Sequence, residues 1–280
     1  MKDFNGKVVV VTGGATGIGF ALAKQFGAKG AKLVLAARRR NRLDQAASEL
    51  SATGVEVRTF ECDVTRRDQV EALADFAWKE FGTVDVIVNN AGHGSISSPV
   101  IEAKPEDVQR LFDVNVFGVW NGVAVFGRRF LDRGTPAAIY NVGSENSLFG
   151  SVICGAGYVA SKHACLALTM ALREEAPPFI DVGLICPGLV RSDLAIETVE
   201  GMDTDRYAEL VMKQIVDGQF FIVSHSYNAL RIDARYNAIK EAYATYAPRY
   251  PGDVEFDVRI LGAKRGWYPP MPDKGLPDFH

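Results

Sequence analysis

Two hydrophobic rhythms alternate along this chain. Residues 7–12, "KVVVVT", are apolar almost without a break, as expected of a strand buried on both faces. Residues 18–30, "IGFALAKQFGAKG", place apolar side chains at helical spacing and end in glycine, a helix stop. Further strands are expected at 32–37, 56–64, 84–92, 137–142, 181–186 and 219–223. Helices are expected at 42–54 and 67–82, with longer ones near 105–133 and 158–176. Strands alternating with crossover helices imply an α/β fold, a doubly wound parallel sheet of about seven strands with helices on both faces. Residues 1–247 read as one domain without a linker or internal repeat. Residues 248–280 are rich in proline and glycine, follow neither rhythm and read as an extended C-terminal tail.

Composition narrows the chemistry. The 280 residues are 48% hydrophobic, enough for a sizeable core. Lysine and arginine number 31 against 34 acidic residues, a net charge of −3, which argues against nucleic acid or an anionic membrane as the main partner. Cys62, Cys154, Cys165 and Cys186 are scattered without metal-type spacing, so reduced thiols and no metal site are expected. No apolar run approaches the ~20 residues of a membrane-spanning helix, and the N-terminus lacks a signal-peptide pattern. A cytoplasmic protein is expected.

The stretch "TGGATGIG", residues 12–19, joins the first strand to the first helix. Gly13, Gly17 and Gly19 let the backbone approach a phosphate, and Ala15, Thr16 and Ile18 complete the same turn. The helix N-terminus behind them offers N–H groups and a positive dipole end. A glycine motif alone is weak evidence, but its place in a βαβ series points to a nucleotide and a Rossmann-like fold. At the end of the second strand an acid would bond a ribose 2′-hydroxyl. Ala37 occupies that place and is followed by Arg38 and Arg39, which suit a 2′-phosphate. NADP(H) is therefore expected in preference to NAD(H).

These motifs and those downstream resemble the short-chain dehydrogenase/reductase family. The matches are "TGGATGIG", "DV" (63–64), "NNAG" (89–92), "DVNVFG" (113–118), "NVGS" (141–144), "YVASK" (158–162) and "PGLVRS" (187–192), in that order over roughly residues 6 to 195. The resemblance implies that Asp63 and Val64 meet the adenine and that Asn90, Ala91 and Gly92 pass the nicotinamide ribose. It implies that Pro187, Gly188, Val190 and Ser192 lie against the carboxamide. It makes Tyr158 the catalytic acid/base, Lys162 its partner and Ser144 the hydroxyl that orients the carbonyl. Asn115 would support a proton-relay water, and Tyr158 and Lys162 would also touch the cofactor. A homodimer or homotetramer is implied as well. Physical chemistry supports the tyrosine–lysine pair. A free tyrosine titrates near 10. An ammonium about 4 Å from a phenol favours the phenolate by roughly 4 kcal/mol at intermediate dielectric. A separation of four residues puts both side chains on one helix face.

Some positions depart from the family pattern. Gly143 stands where a first serine is common, and Ser144 lies 14 positions before Tyr158, one more than usual. Ser147 is a fallback for Ser144. Glu145 and Asn146 are read either as substrate contacts or as residues bonding the back of their loop, and His93 and Cys154 as pocket residues or incidental ones. Residues 190–217 read as a substrate segment whose first part is a mobile apolar lid including Leu194. The C-terminal third and "NGVAVF" (121–126) resemble a bacterial subgroup that includes dehydrogenases of lignin-derived aryl ethers. This hints at a bulky or aromatic substrate. The expected reaction interconverts a secondary alcohol and a ketone. The alternatives are a 3-oxoacyl thioester reductase and a non-catalytic NADP-binding sensor or scaffold.

Overall fold

The computed structural model describes residues 1–94, 97–191 and 201–267. It divides into two compact units, Met1–His225 and the chain from Ser226 onward. The first unit is built on seven parallel strands: β1 (Val8–Thr12), β2 (Lys32–Ala37), β3 (Val57–Glu61), β4 (Val86–Asn89), β5 (Ala137–Val142), β6 (Ile180–Cys186) and β7 (Phe221–Val223). Their order across the sheet is β3-β2-β1-β4-β5-β6-β7. The expected architecture is therefore present, with strand boundaries shifted by a few residues.

The uninterrupted valines of β1 explain how two cores form. Successive side chains on a strand point to opposite faces. Val9 and Val11 enter one core with Leu33 and Leu35. Val8 and Val10 enter the other with Val34 and Ala36. The first core is covered by α1 (Gly17–Ala28), α2 (Arg40–Ala52) and α7 (Thr204–Val216). The second is covered by α3 (Arg67–Phe81) and α5 (Val119–Arg133). α4 (Pro105–Phe112) and α6 (Ala156–Glu175) are the other α-helices among the described residues of this unit.

The helix expected over 105–133 is interrupted. α4 passes into a π-turn at Asp113–Gly118 before α5 begins. The sequence offers no proline there to announce it. In the second unit, α8 (Asn228–Tyr246) precedes the stretch read as an extended tail. That stretch contains a 3-10 turn at Asp253–Phe256 and α9 (Val258–Arg265). Asp257 caps α9 by accepting from the Arg259 amide, a local signal that the proline and glycine content had masked.

The strand order reverses between β1 and β4, so the connections leaving their C-terminal ends run to opposite sides of the sheet. Open α/β sheets bind ligands at such a switch point, outside the carboxyl ends of the strands. Thr12, Asn90, Val142 and Pro187 all lie at or just past those ends.

Candidate active site

The glycine turn is held from beneath by β4. The Asn90 side-chain amide donates to the carbonyls of Thr12 and Gly13 at 2.9 and 3.2 Å. The Thr12 hydroxyl donates to the Val88 carbonyl and accepts from the backbone amides of Asn90 and Ala91 at 3.0 and 3.1 Å. Gly13 adopts φ +63°. A Cβ at Gly19 would lie 2.3 Å from Asn90 Nδ2 and 2.4 Å from the Gly13 carbonyl oxygen, so only glycine fits. α1 begins immediately beyond, and its Thr16 N-cap side chain makes no capping bond. The first amides of a helix lack intrahelical partners, and this arrangement leaves them for an anionic group. The cradle fits the pyrophosphate of a dinucleotide.

At the end of β2, Arg38 and Arg39 are exposed, and Arg39 is the N-cap residue of α2. At the end of β3, Asp63 accepts from the Thr65 amide and hydroxyl, and its own amide donates to Gln69. The Val64 carbonyl accepts from Asn121 Nδ2 at 2.9 Å. Asp63 and Val64 thus occupy a fixed turn on the same sheet edge as the glycine cradle.

Tyr158 and Lys162 stand one turn apart on α6. The Lys162 ammonium lies 5.7 Å from the centroid of the Tyr158 ring and donates to the Val142 carbonyl at 3.0 Å. A buried polar network fastens α6 to the sheet. Asn89 Nδ2 donates to Asn141 Oδ1, Asn141 Nδ2 donates to Thr169 Oγ1, and Thr169 donates to the Cys165 carbonyl. Thr12 and this Asn89–Asn141–Thr169 chain escaped the sequence reading as positioning groups. Only the pairing of strands and helix brings these distant residues together.

Ser144 caps a 3-10 turn, Glu145–Ser147, that packs on α6. Its Oγ accepts from the Asn146 amide at 3.1 Å and faces the Pro187 carbonyl at 3.5 Å. Ser147 is fully buried; its Oγ donates to the Lys162 carbonyl at 2.7 Å and accepts from the Ser144 amide at 3.1 Å. With its hydroxyl consumed in that bridge, Ser147 is a structural link between turn and helix. The same atom explains Gly143, where a Cβ would meet Ser147 Oγ at 2.6 Å.

Asn115, in the π-turn, is fully buried. Its Oδ1 accepts from the His93 amide at 2.8 Å, and its Nδ2 donates to the His93 carbonyl and to Ser161 Oγ. Ser161 donates to the Tyr158 carbonyl at 2.8 Å. Asn115 therefore ties the loop after β4 to the first turns of α6. At Gly92, a Cβ would lie 3.5 Å from Asn115 Oδ1 and 3.9 Å from Lys162 Nζ, so the loop after β4, the π-turn and α6 meet there.

The remaining predicted positions are more dispersed. The Glu145 side chain is buried and accepts from Ser151 Oγ at 3.2 Å. A Cβ at Gly188 would meet both Glu145 Oε2 and the His225 ring, so this carboxylate faces the segment after β6. The Glu145 amide donates to the Pro187 carbonyl at 2.7 Å. The Val190 side chain is buried in the core beside α7. Cys154 is half-buried, with its carbonyl accepting from the Ser98 amide. Ser192, Leu194 and most of the expected lid fall outside the described residues; past them, Met202 forms an isolated bridge with Val190. Cys62, Cys165 and Cys186 are buried, and burial pushes all three thiols up, Cys62 and Cys186 to about 12. Among the described residues, no helix is long and apolar enough to cross a membrane.

Comparison with known proteins agrees with this fold. The family model described as short chain dehydrogenase matches residues 7–203. The chain is 33% identical over 246 residues to a 1-deoxy-11-beta-hydroxypentalenate dehydrogenase of Streptomyces exfoliatus, covering 83% of this chain and 88% of that one. It is 27% identical to the C alpha-dehydrogenase of a Sphingobium species, covering 87% and 88%. A short chain dehydrogenase/reductase from Burkholderia phymatum in complex with NAD superposes with a TM-score of 0.81 at 31% identity, covering 90% of this chain and 99% of that one. A short-chain dehydrogenase from Sphingobium yanoikuyae in complex with NADPH gives 0.73 at 27% identity, covering 88% and 99%.

Proposed function

This chain belongs to the short-chain dehydrogenase family, and we propose that it is an NADP(H)-dependent enzyme using Tyr158 to interconvert a secondary alcohol and a ketone. The reaction class, NAD(P)-dependent oxidoreduction of alcohols and ketones, comes with family membership. The observation that carries the finer reading is the packing of the Lys162 ammonium against Tyr158, on a helix tied through Ser147 to the Ser144 turn.

When bound, a nicotinamide cofactor would supply or accept the hydride. The protein handles the proton and the charge on oxygen. During ketone reduction Ser144 donates a hydrogen bond to the carbonyl oxygen, and Tyr158 delivers its hydroxyl proton to that oxygen as negative charge develops. The adjacent Lys162 ammonium stabilises the phenolate that results. In alcohol oxidation the phenolate takes the proton back. Asn115 holds the His93 loop against the first turns of α6, and in this reading also supports the water that returns the proton to solvent.

Cofactor choice turns on this chain's own residues, since neighbours of similar fold are complexed with either NAD or NADPH. Two exposed arginines, without an acid at Ala37, favour the 2′-phosphate. Arg38→Ala should raise the Kd for NADPH by tenfold or more and leave that for NADH nearly unchanged. Equal shifts in fluorescence titrations would overturn the preference. A bulky or aromatic substrate is supported by the likeness to the C alpha-dehydrogenase. Assembly into two or four copies is supported by exposed Phe117 in the π-turn and Trp120 in the first turn of α5, and light scattering measures it directly.

The deciding experiment is a panel of aliphatic and aryl ketones and secondary alcohols with both cofactors, followed at the nicotinamide absorbance. Tyr158→Phe should abolish turnover while NADPH binding stays near wild type. Retained turnover would refute the role given to Tyr158.

A further inference from the structure

The hydroxyl of Ser144 sits in an unusually one-sided environment. A serine hydroxyl has one proton to donate and two lone pairs to accept. Ser144 Oγ accepts from the Asn146 backbone amide at 3.1 Å and from the Asn146 side-chain Nδ2 at 3.4 Å. Both lone pairs therefore face donors of one residue, the backbone amide within ordinary hydrogen-bond range and the side-chain amide at its long limit. The orientation of the Asn146 amide is fixed independently. Its other end lies 2.9 Å from the Ser151 backbone nitrogen, which only donates, so that end is Oδ1. Ser151 Oγ lies 2.9 Å from the same oxygen. Nδ2 must then face Ser144. The Ser144 proton points to the Pro187 carbonyl at 3.5 Å, a long contact that a better acceptor easily replaces.

We propose that Asn146 is a positioning residue that makes Ser144 an obligate hydrogen-bond donor to the substrate oxygen. With its lone pairs engaged, Ser144 can hold a ketone or alkoxide oxygen but is a poor acceptor for an alcohol O–H. An alcohol entering the site must then direct its proton to Tyr158, so binding and acid–base chemistry select one orientation. The two N–H donors also polarise the Ser144 O–H and strengthen its bond as charge develops on the substrate oxygen. The inference deepens the proposed function and rests on Ser144 meeting the substrate oxygen.

The test compares wild type, Ser144→Ala, Asn146→Leu and Asn146→Asp on the fastest ketone of the panel from pH 5 to 9. Thermal melts and NADPH fluorescence titrations accompany each. Ser144→Ala should lose roughly 10²- to 10³-fold in kcat/KM. Asn146→Leu removes one donor and should lose about tenfold, mainly in kcat. Asn146→Asp is the discriminating variant. Its ionised carboxylate only accepts, so it draws the Ser144 proton away from the substrate and should fall at least tenfold below Asn146→Leu at pH 8. As that carboxyl gains a proton it can donate again, and activity relative to wild type should rise toward pH 5. The ionisable groups around this position, Glu145 beside it, Tyr158 and Lys162 on α6 and His225 across Gly188, are common to both proteins, so the readout is the ratio to wild type at each pH. A purely structural role predicts the opposite, with near-isosteric aspartate the better tolerated at every pH; that ranking would overturn the proposal. Should either Asn146 variant melt below assay temperature, Ser151→Ala takes its place. It loosens the amide from outside the turn and should lower kcat two- to threefold with cofactor binding intact, and an unchanged kcat counts against the proposal. A fully active Ser144→Ala would instead sink the role of Ser144 itself, so the two readings fail separately.

Discussion

Gly19→Ala sets helix propensity against close packing, and the structure decides the sign. Gly19 lies in the first turn of α1, and alanine is favoured over glycine in a helix by about 1 kcal/mol. On propensity alone the substitution stabilises. The added Cβ, however, would stand 2.3 Å from Asn90 Nδ2 and 2.4 Å from the Gly13 carbonyl oxygen. One of these atoms is backbone and the other is pinned by two hydrogen bonds, so neither yields cheaply. Overpacking of this kind costs about 1–3 kcal/mol, and losing the two bonds from Asn90 adds roughly 1 kcal/mol each. The net is a destabilisation of about 2–4 kcal/mol, or a fall in Tm of roughly 5–15 °C. Because the displaced atoms shape the cradle proposed for the cofactor phosphates, the Kd for NADPH should also rise tenfold or more. Gly127→Ala in α5 is the matched control. Its Cβ would meet only Ile139 Cδ1 at an ordinary 3.6 Å, so propensity should win and Tm should rise by a few degrees. Melting curves and fluorescence titrations of both variants measure these effects. If Gly19→Ala melts at or above wild type and keeps its cofactor affinity, Asn90 does not anchor the glycine turn as described.

Two further predictions concern the cysteines. Cys154 has φ +59°, the only non-glycine among the described residues in the left-handed region. Cys154→Gly should relieve about 1 kcal/mol of that strain, partly offset by the greater freedom of glycine in the unfolded chain. Urea unfolding should show a midpoint equal to or above wild type; a clear loss would show the side chain packing more strongly than the backbone is strained. The buried thiols set an alkaline limit. Cys62 and Cys186 move from 9.0 to about 12, chiefly by burial, so the unfolded chain releases these protons first. Their contribution is complete below about pH 9 and is lost as pH rises toward 12, at up to about 1.4 kcal/mol per pH unit for each thiol. Unfolding free energies measured between pH 8 and 11 should fall with that sign, and Cys186→Ala should flatten the slope. A slope independent of Cys186 would contradict its assignment.

Much of this protein is legible in one dimension because its signals are local. The apolar run of β1 predicts a strand covered on both faces, and the structure divides the same valines between two cores. The glycine motif, the Tyr158–Lys162 spacing and the order of the motifs each survive folding unchanged, since strand, turn and helix periodicities arise between neighbouring residues. The π-turn at Asp113–Gly118 and the capped helix α9 were not visible in this way. The first depends on how α4 and α5 pack, and the second hides in a stretch whose composition suggests extended chain.

What only the tertiary structure decided is which groups hold the chemical ones in place. The choice between Ser144 and Ser147 rests on a bond from Ser147 to the Lys162 carbonyl, 15 residues away. The anchoring of α6 rests on Asn89, Asn141 and Thr169, which β4, β5 and the helix bring into line. The orientation of Ser144 depends on a turn that places both donors of Asn146 on one oxygen. Hydrogen bonds are short-ranged and directional, so they depend on positions in space to within a few tenths of an ångström. Sequence spacing specifies which residue types can do the chemistry. The folded sheet determines how each proton is aimed.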